Sequence, residues 1–229
     1  LGVDQEMNQR LALIETSHRS GWVALACGVS VLSTRSLQVA RRHARDLAPM
    51  LAELLAEQGW KARALDGVIV SRGPGSYTGL RVGLMSAKTL AYAVGCPLLA
   101  VDTFAVIATQ TNADVKLVHV IADAQQDKIY VQNFDHGTGG ELRIEPFSVW
   151  LQTLPDHVKV SGPGLEIFAS RLPLAKLVAA EHWLPHPPAL LRLGLDRLLR
   201  GQRDDPFSVE PLYLRPSSAE EKWDKVAKS

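Results

Sequence analysis

The sequence predicts an α/β protein of two lobes, each with a mixed sheet and crossover helices. Three observations predict it. Segments with strand and helix patterns alternate along the chain, the order strand, short polar turn, strand, strand occurs twice, and glycine and proline punctuate the joints. The chain has 229 residues, 46% hydrophobic and 21% charged, enough for one large core or two smaller ones.

The elements follow in order. "LALIETSHRSGWVALACGVSVLSTR" gives a strand, an acidic-hydroxyl turn at Glu15, Thr16 and Ser17, and two more strands. "RRHARDLAPMLAELL" is helical; Pro49 lies inside its pattern, so the helix begins near Asp46 or kinks at the proline, and Gly59 closes it. "LDGVIV" reads as a buried strand and "LRVGLMSAKTLAYAVG" as a helix closed by Gly95 and Pro97. "PLLAV" is the next strand. "KLVHVIADAQQDKIYVQNFD" then repeats strand, turn and strand, with Asp123 in the turn and a third strand expected in "ELRIEPFSV". "VKVSG" is a short strand, "GPG" a turn and "ALLRLGLDRLLRG" a helix. These assignments place residues 1–104 in the first lobe and 105–229 in the second, with the boundary near Phe104 and a tail from about Asp204 that packs back. The polar start "LGVDQEMNQR" has no signal-peptide pattern; it is read as residues ahead of a start at Met7 and assigned no element.

Composition narrows the function classes. A net charge of +1 provides no global field for nucleic acid, so any RNA contact is local or delegated to a partner. Cys27 and Cys96 stand in apolar contexts without metal spacing and read as buried thiols in a reducing compartment, which points to the cytoplasm. No run of about 18 uncharged apolar residues marks a membrane span.

"SRGPGSYTGLRVG", from Ser71 to Gly83, joins a strand to a helix. A glycine-rich turn of this kind (Gly73, Pro74, Gly75, Ser76, Tyr77, Thr78) can offer backbone amides to an anion. Yet no lysine follows Gly79 as a P-loop requires, and the spacing misses the dinucleotide fingerprint. Ser76 or Thr78 could serve as a nucleophile, but no histidine stands nearby and the Gly-x-Ser-x-Gly elbow is absent. Capping of the helix by Ser76 or Thr78 accounts for both hydroxyls. At about 100° per residue, Leu80, Leu84, Ala87, Ala91 and Val94 form one stripe for the sheet. Arg81, Met85, Lys88 and Tyr92 lie toward solvent, whereas Gly79, Val82, Gly83, Ser86, Leu90 and Ala93 make a smooth uncharged face. Small residues three and four apart admit a second helix, either the chain's own first helix with Leu47, Leu51 and Leu54 or a partner's.

"GPGSYTGLRVG" followed by "AKTLAYAVGCPLLAV" resembles the signature of the TsaB/YeaZ family of tRNA threonylcarbamoyladenosine biosynthesis proteins. That signature reads Gly-Pro-Gly-Ser-Phe-Thr-Gly-Leu-Arg-Ile-Gly, from which only Tyr77 and Val82 depart. The resemblance extends through "LALIETS", "RRHARDLAPMLAELL", "DAQQDKIY" and "PLYLRPSSAEEKW". Glu15 stands where the family has aspartate, and Gln125 and Lys128 where it has arginine and glutamate.

The resemblance implies an actin-like (ASKHA) fold, two lobes of RNase H-like topology. It implies a non-catalytic subunit that binds and stabilises the related transferase TsaD as a heterodimer. TsaE is then a further partner, self-association as a homodimer an alternative when the chain is alone, and tRNA is reached only through the complex. The docking face implied is Gly79, Val82, Gly83, Ser86, Leu90 and Ala93, joined by His43 and Leu47 of the first helix. The actin-like fold closes on ATP with acidic residues holding magnesium through water. Glu15, Thr16 and Asp123, with Gly162 and Gly164 of "SGPG", are therefore the expected positions of a weak nucleotide or ion site. ATP or ADP is expected weakly in the cleft or at the complex interface, and no cofactor tightly bound. The histidines with which TsaD holds its metal are missing from "DTFAVIA" after Val101, so neither a metal site nor a catalytic residue is expected. Two other readings compete: an autonomous ATP-dependent, kinase-like enzyme of this fold, and a protease acting on TsaD.

Overall fold

The computed structural model describes residues 8–37, 43–111 and 114–214, with the backbone alone for His43 and Ala44. The expected start at Met7 and the part of "PLYLRPSSAEEKW" from residue 215 lie outside the described residues. Among the described residues the strands form two five-stranded sheets.

The first sheet contains β1 (Arg10–Glu15), β2 (Gly21–Cys27), β3 (Ser30–Leu37), β4 (Gly67–Ser71) and β5 (Leu98–Val101) in the order β3-β2-β1-β4-β5. β1, β2 and β3 form an antiparallel meander, and β4 and β5 add in parallel. The crossovers are helices α1 (His43–Glu57) and α2 (Tyr77–Val94). β1 and β4 are covered on both faces, which explains their unbroken apolar runs. α1 begins before Asp46 and continues through Pro49. Gly95, at φ 80°, ends α2 in the left-handed conformation that glycine adopts without strain.

The second sheet contains β6 (Leu117–Asp123), β7 (Lys128–Asp135), β8 (Thr138–Gly139), β9 (Arg143–Pro146) and β10 (Lys159–Ser161). β10 runs parallel to β6, β6 antiparallel to β7, and β7 antiparallel to β9. That pattern repeats β4-β1-β2-β3 of the first sheet. The twofold outline in the sequence is thus a twofold topology, the actin-like arrangement of two RNase H-like halves.

Short helices complete the chain: α3 (Thr103–Thr109), α4 (Phe147–Thr153), α5 (Leu165–Phe168) and α6 (Pro187–Leu199). Only "RIEP" of "ELRIEPFSV" is strand, because Phe147 turns into the core at the start of α4. α6 comes late in sequence but packs on the first sheet. Leu190, Leu191 and Leu195 bury against Leu11, Leu13, Ile69 and Leu99, and Gly194 presses on Ile69. The opposite face of that sheet holds α1 and α2, whose Leu47, Leu51, Leu54, Leu84 and Ala87 share one core. Each such leucine contributes about 1.5–3 kcal/mol by leaving water. After α6 the chain returns along the first lobe: the Asp204 amide donates to Leu98 O at 2.8 Å and the Leu212 amide to Arg72 O at 2.7 Å. A division near Phe104 is therefore proposed for the strands alone. Among the described residues, no helix is long and apolar enough to cross a membrane.

Candidate functional site

The turn after β1 and the glycine-rich turn after β4 meet at the first turns of α2. Ser76 caps that helix, its Oγ accepting the Gly79 amide at 3.3 Å, whereas Thr78 lies inside the helix and is exposed. The Ser76 amide donates to Ser17 O at 2.7 Å, and Thr16 Oγ1 donates to Gly79 O at 2.8 Å.

The glycines make these contacts sterically feasible. A Cβ on Gly75 would lie 2.4 Å from Ser17 O, on Gly79 2.0 Å from Thr16 O, and on Gly83 2.0 Å from Thr16 Oγ1. Spaced four apart, the three line the side of the turn and helix that receives Thr16 and Ser17. This corrects the expected docking face. Gly79 and Gly83 are buried against Thr16, and Leu47 is 2% exposed in the core between α1 and α2. Thr16 as the seat of α2 was not foreseen; glycines at every fourth position of a helix start were the signal for a close neighbour.

The outward arc of α2 is different. Val82, Ser86 and Leu90 are half-buried, Thr89 and Ala93 exposed, and Met85 and Tyr92 are 58% and 70% exposed. Val82 and Leu90 touch the core shared with α1, so the first helix covers part of the face. Arg81, at one edge of the arc, donates to the Tyr77 hydroxyl, and Lys88 turns away to donate to Val209 O. The middle of the arc carries no charge over several turns. For His43, at the start of α1, only the backbone is described.

Between the lobes lies a cleft of about 410 Å³. Ser17, His18 and the glycine-rich turn form one wall, Asp123, Tyr130 and Glu166 the other, and Leu212 to Leu214 close one side. Tyr213 stacks on Tyr77 with ring centroids 4.6 Å apart.

The expected nucleotide or ion residues do not converge on this cleft. Glu15 is 1% exposed and outside its lining; its Oε1 accepts the Ser17 amide at 2.5 Å. Oε2 is buried beside the Ser71 hydroxyl without a hydrogen bond of normal length. Burial raises the Glu15 pKa, and the hydrogen bonding of Ser17 together with the nearness of the Ser71 hydroxyl only partly offsets this. Thr16 is fully buried. Gly162 and Gly164 pack on β6, where added Cβ atoms would lie 2.3 Å from Ile121 O and 3.1 Å from Ala122 Cα. Asp123 does face the cleft, and its Oδ1 accepts the Gln125 amide at 2.8 Å. A magnesium held through water by Glu15 and Asp123 together does not fit these positions. Among the described residues, no three or more His, Cys, Asp or Glu side chains are grouped to hold a metal ion.

Comparison with known proteins adds family information. The family model described as "TsaD: tRNA N6-adenosine threonylcarbamoyltransferase" matches residues 36–142. The "tRNA threonylcarbamoyladenosine biosynthesis protein TsaB" of Bacillus subtilis is 25% identical over 223 residues, 92% of this chain and 96% of that protein. The "Uncharacterized protein Rv3421c" of Mycobacterium tuberculosis is 32% identical over 176 residues, 73% of this chain and 81% of that one. Among solved structures, YeaZ from Pseudomonas aeruginosa superposes with a TM-score of 0.74 at 27% identity, covering 90% of this chain and all of that one.

Proposed function

The chain belongs to the TsaB/YeaZ family, and from that premise we propose that it is a non-catalytic subunit of threonylcarbamoyladenosine synthesis on tRNA, binding and stabilising TsaD. The observation that carries the reading is the outward arc of α2, where Val82, Ser86, Leu90 and Ala93 adjoin the exposed Met85 and Tyr92 with no charge among them. A surface helix with no partner normally turns charge to water. The TsaD match spans this helix, which supports docking between equivalent helices of two related chains. In this reading α1 contributes through His43 and its exposed side, TsaE is a further partner, and the same face serves a homodimer when TsaD is absent. The subunit works in the cytoplasm and meets tRNA only in the complex. ATP or ADP bind at the complex interface, or weakly in the cleft, rather than as a resident cofactor.

The test is titration calorimetry with TsaD, alongside tRNA modification by the reconstituted system. Ser86→Arg and Met85→Arg are expected to keep the circular dichroism and melting of the parent. Each should weaken binding by tenfold or more, a loss of about 1.4 kcal/mol per decade. Two folded variants with unchanged affinity place the docking face elsewhere. Turnover of Mg-ATP by the chain alone would favour the autonomous enzyme instead.

A further inference from the structure

His18 stands where the lobes meet. It follows the buried Thr16–Ser17 turn, and its ring reaches α5 of the second lobe at the edge of the cleft. Nε2 lies 3.3 Å from Glu166 Oε2, and Nδ1 lies 3.2 Å from the Ser20 amide nitrogen. A backbone N–H can only donate, so Nδ1 is the acceptor and the ring proton sits on Nε2, directed at Glu166. Both ring nitrogens are then used in the neutral form. The His18 side chain is 14% exposed and that of Glu166 41%, so the contact spans from a sheltered turn to the rim.

A second proton has one place to go. On Nδ1 it displaces the Ser20 N–H and at the same time converts the Nε2–H···Oε2 contact into a charge-assisted pair. We propose that His18 is a proton-controlled latch between the two lobes, which acid tightens on Glu166 across the cleft while releasing Ser20 at the entry to β2.

The titratable and charged groups that line the cleft with the ring come from several elements. Arg19 lies on its own turn, Glu166 on α5 and Asp123 at the end of β6, with Tyr77, Tyr130 and Tyr213 completing the walls. Burial is the main cause holding His18 below its ordinary value of 6.5; Arg19 pushes the same way and Glu166 opposes both. The latch therefore charges below pH 6.5. Because the folded-state pKa is lowered, folding stability is full above that value and declines as pH falls through the lowered one. Glu166 alone raises the His18 pKa, so acid strengthens that contact relative to the same sheltered ring without Glu166, while burial and Arg19 make protonation costly to the whole fold. The inference is independent of the docking reading.

The experiment uses the full chain alone. Nitrogen-15 spectra of the histidine rings at neutral pH should show a pyridine-like Nδ1 and a pyrrole-like Nε2 for His18. On acidification, exchange protection of the Ser20 amide should fall as His18 titrates. Glu166→Gln should shift the His18 midpoint downward, since an acceptor remains but the charge is gone. Spin labels, one per lobe, should give a distance distribution that narrows with acid in the parent chain. His18→Gln, which keeps a donor for Glu166 and does not titrate, should lose that response. A pyrrole-like Nδ1 overturns the proposal, and so does an identical pH response of the interlobe distance in parent, His18→Gln and Glu166→Gln.

Discussion

The turns after β1 and β6 occupy equivalent places in the two halves of the fold, and they have been put to opposite uses. In the first, Glu15, Thr16 and Ser17 are at most 5% exposed, and their polar atoms are largely spent on one another and on the start of α2. In the second, Asp123 faces the cleft, and Gln125, Gln126 and Asp127 adopt φ of 62°, 55° and 55°. Side chains pay for that left-handed conformation, about 1–2 kcal/mol per residue relative to the right-handed form. The second turn is held by neighbours: Asp127 O accepts the Phe147 amide at 2.9 Å, and Arg171 pairs with the Asp127 carboxylate while lying over the Phe147 ring. Duplicated topology therefore does not carry duplicated chemistry. One turn became the seat of a helix, the other an exposed wall.

Replacing Gly83 by leucine should break the first turn with the largest effect. Its Cβ would overlap Thr16 Oγ1, so the cost should exceed about 3 kcal/mol, beyond ordinary overpacking. Urea unfolding measures it; a Gly83→Leu chain as stable as the parent would mean that Thr16 does not seat the helix. This outcome differs from what a free docking face at Gly83 implies, namely a folded chain that fails only in binding.

A smaller effect concerns the buried acid. Because the folded-state pKa of Glu15 is raised above 4.5, the native chain holds its proton more tightly than the unfolded one. Stability is then greatest below that value and falls as pH rises toward the raised one, by about 1.4 kcal/mol for each unit of elevation. Glu15→Gln keeps an acceptor for the Ser17 amide and supplies a donor toward Ser71. It should remove this pH dependence and be at least as stable as the parent at neutral pH. Unfolding free energies measured across acid and neutral pH decide it, and an unchanged slope in the variant counts against a raised Glu15 pKa.

The least change is expected in the second turn. Gln126→Gly removes a side chain from a left-handed position and should raise stability by up to about 1 kcal/mol, with the melting temperature as readout. Destabilisation there would show that the Gln126 side chain holds the turn, making the two turns more alike than their φ angles suggest.

Much of the fold was legible in sequence. The unbroken apolar runs of β1 and β4, Gly95 at the end of α2 and Ser76 at its start each depend on residues close along the chain, where propensity and capping act. The hydrophobic period of α2 also placed Leu80, Leu84, Ala87, Ala91 and Val94 toward the sheet; the first four are buried there and Val94 is half-buried against the same core. Less legible were α3, whose "TFAVIAT" shows no period because most of it is buried, and α6, whose apolar stripe does not say which sheet it will cover.

What the sequence determined by itself was therefore the principal strands, the helices α1, α2 and α6, their order and the twofold plan, because periodicity, caps and turn residues act over a few positions. Only the tertiary structure decided which way Gly79 and Gly83 face, that Glu15 is buried while Asp123 is exposed, and that His18 reaches Glu166, 148 residues away. Those facts depend on contacts between distant segments. Residue type permits such contacts, but spatial packing selects among them.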